Sequence, residues 1–162
     1  KISSTNLPIQ DIKKITGKLL ETLKTNITIP GLLIIDTPGH AAFNTLRKRG
    51  GSLADIAILV IDIKEGIMPQ TKESIDILRS NKTPFIIALN KLDTITSWRS
   101  SSSISLLKSI QSQSQTTTGE LETKLYRVVS QIAELGLNAE RFDRIEDYTK
   151  QVAIIPCSAK TG

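Results

Sequence analysis

Four short runs of apolar, mostly β-branched residues constrain the fold of this chain more than any other feature. Isoleucine occurs in all four, and it prefers the pleated surface of a strand. The runs are apolar on both alternating faces, which is typical of strands covered on both sides in a parallel sheet. We therefore predict buried, parallel strands over 32–35, 56–61, 85–89 and 152–155.

Helical patterns lie between these runs. Pro69 suits the first turn of one helix, and Gly136 is a stop signal after another. Strands that alternate with helices predict a doubly wound, mostly parallel α/β domain. The predicted helical stripes cover 12–23, 69–78 and 120–135.

The segment 97–118 breaks this alternation, because it is dominated by Ser, Thr and Gln. Such a composition buries little apolar surface, so we predict a mobile surface insertion within the domain. Apolar positions near helical spacing leave open a short helix around 104–110 that packs only against a partner.

Composition restricts the class of protein. The 162 residues are enough for one domain with its own core. The sequence has no apolar run of the roughly 18 residues that a membrane-spanning helix needs, and no secretory leader. A single cysteine, Cys157, favours a reducing compartment. These features predict a cytoplasmic protein with no membrane partner, and its net charge of +5 mildly favours polyanions.

Three polar stretches follow predicted strands, at the sheet edge where open α/β sheets bind ligands. The first comprises Asp36, Thr37, Pro38, Gly39 and His40, the only histidine. A carboxylate such as Asp36 can hold a hydrated cation, and Gly39 lets a backbone N–H approach an anion closely. Read alone, these five residues form an ordinary β-turn equally well.

The second stretch comprises Asn90, Lys91, Leu92 and Asp93, directly after the run 85–89. A carboxylate accepts two hydrogen bonds, which matches the N1–H and N2–H₂ donors of guanine. Adenine offers an acceptor there, and the resulting mismatch is costly in a buried site. Asn90 can meet the other edge of the base or join loops, and the Lys91 stem can cover it. Read alone, an exposed turn with an Asp cap is the simpler interpretation.

The third stretch comprises Ser158, Ala159 and Lys160, after the run 152–155. A turn of small residues can direct backbone N–H groups at a purine carbonyl. Alone it is an ordinary exit from a strand. The evidence lies in the combination, since all three stretches occur in order and each follows an apolar strand.

Together these residues resemble the nucleotide-binding motifs of the translational GTPases. Residues 36–40 are similar to the switch II signature of that family, 90–93 to its guanine-specificity motif and 158–160 to its last base-contacting loop. The resemblance covers almost the whole chain and thins over 97–118. Other stretches resemble the archaeal and eukaryotic initiation factor 5B branch, related to bacterial initiation factor 2: 42–51, 65–71, 98–99 and 141–144.

The resemblance implies a P-loop GTPase fold and a role for each residue of the first stretch. Asp36 would hold Mg²⁺ through a water, and the Gly39 amide would sense the γ-phosphate of GTP. His40 would be the catalytic residue, orienting the attacking water when the protein is docked on the ribosome.

The resemblance also implies how the base is bound and what the whole protein does. Asn90 and Asp93 would read guanine, Lys91 would pack on the base, and the backbone of residues 158 and 159 would meet its carbonyl. The whole protein would be an initiation factor that binds GTP or GDP, hydrolyses GTP on the ribosome and promotes initiator tRNA placement and subunit joining. The basic residues 47–49 would face ribosomal RNA or form a solvated basic surface.

A phosphate-cradling loop of the form G-x-x-x-x-G-K-[S/T] does not occur in the 162 residues. Gly17-Lys18 lacks the earlier glycine and is followed by Leu19. The sequence begins at Lys1, and its only methionine is Met68. We therefore expect 1–162 to be a partial GTP-binding domain, without the phosphate-loop strand, the switch I threonine and the last helix.

Loss of a central strand would leave its neighbours without hydrogen-bonding partners. The fragment alone is thus expected neither to bind GTP tightly nor to hydrolyse it. Two other interpretations remain: a GTPase-like scaffold for protein or RNA that lacks a phosphate loop, and an unrelated α/β domain with accidental motifs.

Overall fold

The computed structural model describes residues 3–16, 28–37, 54–100 and 105–161. The chain divides into two compact units, residues 1–50 and residues 51–162. Among the described residues, no helix is long and apolar enough to cross a membrane.

The first unit contains an antiparallel pair of strands and a short helix. The predicted run 32–35 does form a strand, but it is neither parallel nor buried: it pairs antiparallel, with Ser3 opposite Asp36, and its leucines and Ile34 are exposed. Its partner was not predicted, because the sequence of that strand is mostly polar and shows no apolar alternation. The predicted helical stripe over 12–23 is helical up to Thr16, and residues 17–23 lie outside the described ranges. The elements are β1 (Ser3–Pro8), α1 (Ile9–Thr16) and β2 (Gly31–Asp36).

The second unit contains a four-stranded sheet in the order β3-β4-β6-β5. All neighbouring strands in it are parallel, with Ala57 opposite Phe85 and Ile87 opposite Ile154. The three predicted strand runs of this unit are confirmed, and every end lies within one residue of its predicted position. The elements are β3 (Ala57–Asp62), α2 (Pro69–Ser80), β4 (Phe85–Asn90), α3 (Leu106–Gln111), α4 (Gln115–Glu134), β5 (Ala139–Arg141) and β6 (Val152–Pro156).

Helices α2 and α4 bury their apolar stripes against one face of this sheet. Alternate residues of the strands point toward these helices, because successive side chains of a strand face opposite sides. The result is one continuous apolar core, the dominant favourable contribution to folding of the unit. Its most buried members include Ile61, Ile75, Ile87, Leu89, Leu121, Leu125, Val128, Ile132 and Ile154.

The opposite side of strand β3 is open. Ile58 and Val60 lie on the side of the strand opposite the core residue Ile61, and they are 64% and 61% exposed. Strand β3 is also an edge of the sheet. The expectation that every strand is covered on both sides is therefore wrong for β3 in the described part of the chain.

The segment 97–118 is not a structureless insertion where the structure describes it. Helix α3 occupies the position of the alternative short helix, and α4 begins five residues before its predicted start. The Ser114 hydroxyl accepts a hydrogen bond from the Thr117 amide at 3.2 Å, which caps α4. Thr117 is buried, and Leu106 and Ile110 pack against the core. The polar composition concealed both the cap and this contact.

The predicted helix signals at Pro69 and Gly136 are confirmed. Pro69 is the first residue of α2, where its missing N–H costs nothing. Helix α4 ends at Glu134, and Gly136 has φ +75°, the left-handed conformation that glycine adopts readily after a helix.

A network of ion pairs joins α4 to the short strand β5 and the turn after it. The Arg141 side chain, only 8% exposed, donates through Nε and Nη2 to both Asp143 oxygens at 2.6 and 2.9 Å. Its Nη1 donates to Glu122 at 2.7 Å, and Arg144 also pairs with Glu122 at 2.8 Å. Strand β5 was not predicted, because it has three residues, two of which are charged.

Candidate functional site

The carboxyl ends of β3, β4 and β6 lie at the same edge of the parallel sheet, and backbone hydrogen bonds join them there. The Cys157 amide donates to the Leu89 carbonyl at 2.9 Å, and the Leu92 amide donates to the Cys157 carbonyl at 3.0 Å. The Ile63 amide donates to the Asn90 carbonyl at 3.0 Å. The edge therefore brings together the second and third predicted stretches, as the sequence implied.

Asp93 is held in place by a side chain of the third stretch. The Ser158 hydroxyl donates to Asp93 Oδ1 at 2.6 Å, and the same hydroxyl accepts from the Thr161 amide at 3.1 Å. Ser158 is buried, while Asp93 is partly exposed. Within the described residues, Asp93 Oδ2 accepts no hydrogen bond. One carboxylate oxygen is thus anchored, and the other keeps its capacity to accept donors from a ligand.

Asn90 is oriented by the same loop. Its Oδ1 accepts a hydrogen bond from the Ala159 amide at 2.9 Å. Because a backbone N–H can only donate, this bond fixes which end of the Asn90 amide faces the loop. The Nδ2 group then points away as a donor. The Ala159 amide itself is engaged, so a purine carbonyl must share that donor or use another.

Lys91 has a left-handed backbone, with φ +68°, which is uncommon for a residue other than glycine. It precedes a tight turn over Leu92–Thr94, in which the Thr94 amide and hydroxyl both donate to the Lys91 carbonyl. Its ammonium group lies 2.6 Å from Asp62 Oδ2. Leu92 turns inward and is buried in the core.

Asp62, the last residue of β3, is a part of this edge that sequence reasoning missed. Its Oδ1 accepts from the Lys64 amide at 2.8 Å. Partial burial by itself would raise the pKa of Asp62. Hydrogen bonds from Lys91 and Lys64 outweigh this effect and hold the pKa below its ordinary value. The hydrogen bond and charge of Asp62 raise the pKa of Lys91. Its position directly after an apolar run, like that of Asp36, was the available signal.

Lys160, the last residue of the third stretch, is exposed. Burial raises the pKa of the Cys157 thiol, which keeps it protonated and unreactive at neutral pH. Cys157 is therefore an inert residue beside the loop.

The first predicted stretch is only partly described. Asp36 is the last residue of β2 and is exposed, and Thr37 follows it. Pro38, Gly39 and His40 lie outside the described residues, as do the basic residues 47–49. The catalytic role of His40 therefore stays a prediction.

Asp36 is also the predicted metal ligand. The described part of the chain contains no group of three His, Cys, Asp or Glu side chains that could hold a metal ion. Mg²⁺ keeps several waters and is commonly held by one or two carboxylates plus ligand phosphates, so the lack of such a group does not test the role of Asp36. The metal assignment stays a prediction.

The chain is similar to known proteins in sequence and in fold. The family model of the elongation factor Tu GTP binding domain matches residues 5–162. A protein of Methanopyrus kandleri named probable translation initiation factor IF-2 is 53% identical over 161 residues. A protein of the same name from Sulfolobus acidocaldarius is 54% identical over 162 residues. These alignments cover 99% and 100% of this chain but 27% of each relative.

Solved structures are also similar to this chain. The crystal structure of GDP-bound aIF5B from Aeropyrum pernix matches with a TM-score of 0.85 and 43% identity, over 98% of this chain and 27% of that one. A bacterial selenocysteine-specific elongation factor shares the fold, with a TM-score of 0.52 and 24% identity, over 93% of this chain and 23% of its own. The chain therefore belongs to the elongation factor Tu GTP binding domain family, that is, to the translational GTPases.

Proposed function

We propose that this chain is part of the GTPase domain of a translation initiation factor and that it supplies the guanine-reading edge of that domain. The observation that carries the proposal is the anchoring of Asp93 by Ser158 and of Asn90 by Ala159 at the ends of two parallel strands. The likeness to initiation factors named IF-2 and to GDP-bound aIF5B supports the same function.

The chemistry of the edge favours guanine over adenine. Asp93 offers a carboxylate to the N1–H and N2–H₂ donors of guanine, and a charged acceptor makes these hydrogen bonds strong. Adenine would set its N1 acceptor against that carboxylate and leave both unpaired. Asn90 contributes the Nδ2 donor, and the stem of Lys91 covers the base.

The phosphate chemistry belongs to residues outside this edge. Asp36 would bind Mg²⁺ through a water, Gly39 would contact the γ-phosphate and His40 would orient the attacking water. The chain spans 27% of the length of the two curated relatives described above, and we propose that the whole protein supplies a phosphate loop. GTP hydrolysis on the ribosome, initiator tRNA placement, subunit joining and a cytoplasmic location are proposed for that whole protein.

Nucleotide competition on the whole protein tests the proposal. A fluorescent GDP analogue is bound first, and GDP, IDP, XDP and ADP are then compared as competitors. IDP lacks the 2-amino group and loses one hydrogen bond to Asp93, so it should compete about 10-fold more weakly. ADP should fail to compete. Equal competition by ADP and GDP would contradict guanine reading.

The scaffold interpretation makes a different forecast from the same titration. It rests on the absence of a G-x-x-x-x-G-K-[S/T] loop from the 162 residues, and it predicts that the whole protein binds no nucleotide. The GTPase proposal predicts tight binding by the whole protein and binding weaker than micromolar by the isolated chain. Micromolar or tighter binding by the isolated chain would refute the expectation that it is inactive alone.

A further inference from the structure

Asp62 and Lys91 form an ion pair across two neighbouring strands. In the parallel register Asp62 lies opposite Asn90, so its carboxylate is beside the residue that begins the second stretch. The Lys91 ammonium reaches Asp62 Oδ2 at 2.6 Å. The sheet register itself, rather than a flexible loop, sets the distance between the two residues.

Hydrogen bonds fix the position of the Asp62 carboxylate. Its Oδ1 is held by the Lys64 amide at 2.8 Å. The loop that carries this amide is clamped from α4, because Arg127 Nη2 donates to the Lys64 carbonyl at 2.6 Å and Gln131 accepts from the Ile67 amide at 3.0 Å. The second oxygen of Asp62, Oδ2, faces Lys91. The pair therefore joins a fixed acceptor to a long, flexible donor.

Lys91 is the more exposed member of the pair. Its side chain is 58% exposed, whereas that of Asp62 is 21% exposed. An exposed lysine stem samples many rotamers, and ordering it when a ligand binds costs conformational entropy. An anchor that orders the stem beforehand reduces this cost at the moment of binding.

We propose that Asp62 is a positioning residue that holds Lys91 against the guanine-binding edge, an inference that rests on the proposed function. Asp62 acts through Lys91 and does not itself contact the nucleotide. Its removal should weaken binding of every nucleotide that uses Lys91 and leave the discrimination made by Asp93 unchanged. The effect should appear mainly in the dissociation rate, where most affinity differences between related complexes arise.

A double-mutant cycle in the whole protein separates positioning from a structural role. Asp62→Asn keeps an oxygen for the Lys64 amide but removes the charge that Lys91 needs, and Lys91→Met keeps an apolar stem without the ammonium. Stopped-flow release of a fluorescent GDP analogue is the readout. Asp62→Asn should speed release about 2- to 5-fold in the wild-type background. In the Lys91→Met background it should have no further effect.

The outcomes distinguish this inference from the proposed function. If Asp62→Asn speeds release equally in both backgrounds, Asp62 only supports the turn, and the inference fails. If Asp62→Asn slows release, the ion pair competes with the nucleotide for Lys91, and the inference fails. If release is unchanged, the ion pair has no effect on nucleotide binding, and the inference also fails. Failure of the wild-type protein to bind guanine nucleotide would instead overturn the proposed function. Asp76→Asn, on the exposed side of α2, is the matched control and should leave release unchanged.

Discussion

The hydroxyl of Ser158 donates a hydrogen bond of 2.6 Å to the carboxylate of Asp93, a residue 65 positions earlier in the chain. Both residues follow parallel strands, β6 and β4, which are direct neighbours in the sheet. The bond occupies one oxygen of Asp93 and leaves the other for a ligand. The third stretch therefore acts on the base-reading residue through a side chain, in addition to any backbone contact.

Replacement of Ser158 by alanine tests this support. Ser158→Ala removes one charge-assisted hydrogen bond, so guanine nucleotide affinity of the whole protein should fall by about 1 to 2 kcal/mol, or about 5- to 30-fold. Competition binding with GDP measures the loss. Ser130→Ala is the control, because among the residues that the structure describes the Ser130 hydroxyl bonds to the Tyr126 carbonyl of its own helix and to no other group. Equal affinities for the two variants would argue against the support.

Part of the site was predictable from sequence, for a physical reason. Parallel strands end at one edge, so polar residues after apolar runs, such as Asn90 and Ser158, had to meet. The partner of each side chain was not predictable, because a hydrogen bond across the sheet depends on register. The position of Asp62 after an apolar run was visible in the sequence, but its pairing with Lys91, which follows another strand, was not.

Two glycines of the second unit should respond to alanine in opposite ways. Gly66 has φ +74°, and a Cβ there would lie 2.7 Å from Gln131 Oε1. Gly66→Ala should therefore destabilise the loop by about 1 to 2 kcal/mol. Gly119 lies within α4, where a Cβ meets nothing within 4 Å, and Gly119→Ala should stabilise the helix by about 0.5 to 1 kcal/mol.

Hydrogen exchange of the whole protein measures both glycine effects locally. Amides of 63–71 should exchange faster in Gly66→Ala, and amides of α4 should exchange more slowly in Gly119→Ala. Unchanged exchange over 63–71 in Gly66→Ala would contradict the contact with Gln131.

The Arg141–Asp143 pair predicts an acid-dependent loss of stability. Hydrogen bonding to Arg141 lowers the pKa of Asp143 in the folded protein. A lowered carboxyl pKa contributes stability above the unfolded value of about 3.9. That contribution disappears as the pH falls through the lower folded pKa. The side chains of Arg141 and Asp143 are only 8% and 19% exposed, so solvent and salt screen the pair little.

Calorimetric melting of the whole protein at pH 6 and pH 3 checks this prediction. Asp143→Asn should lower the melting temperature at pH 6 and have a smaller effect at pH 3, where the unfolded chain already binds the proton and part of the contribution is lost. The exposed Asp76→Asn should change neither value. A larger effect of Asp143→Asn at the lower pH would reverse the predicted sign and contradict the pairing.

The fold was more predictable in its strands than in its polar helices. The apolar runs 85–89 and 152–155 became β4 and β6 because burial dictates both their composition and their position. Helix α3 and the start of α4 were hidden, since their stability comes from the Ser114 cap and from tertiary packing rather than from a visible stripe. Strand β5 was hidden because the ion pairs of Arg141 replace apolar burial there.

The central claim is that Asp93 reads guanine, and a substitution of Asp93 that changes the base specificity tests it most directly. Asp93→Asn turns a carboxylate acceptor into an amide that can donate to the 2-carbonyl of xanthine. In the whole protein, GDP affinity should fall by at least about 100-fold, while XDP affinity should rise until XDP is preferred. Unchanged preference for GDP over XDP in Asp93→Asn, with Asp76→Asn behaving as wild type, would contradict guanine reading by this edge.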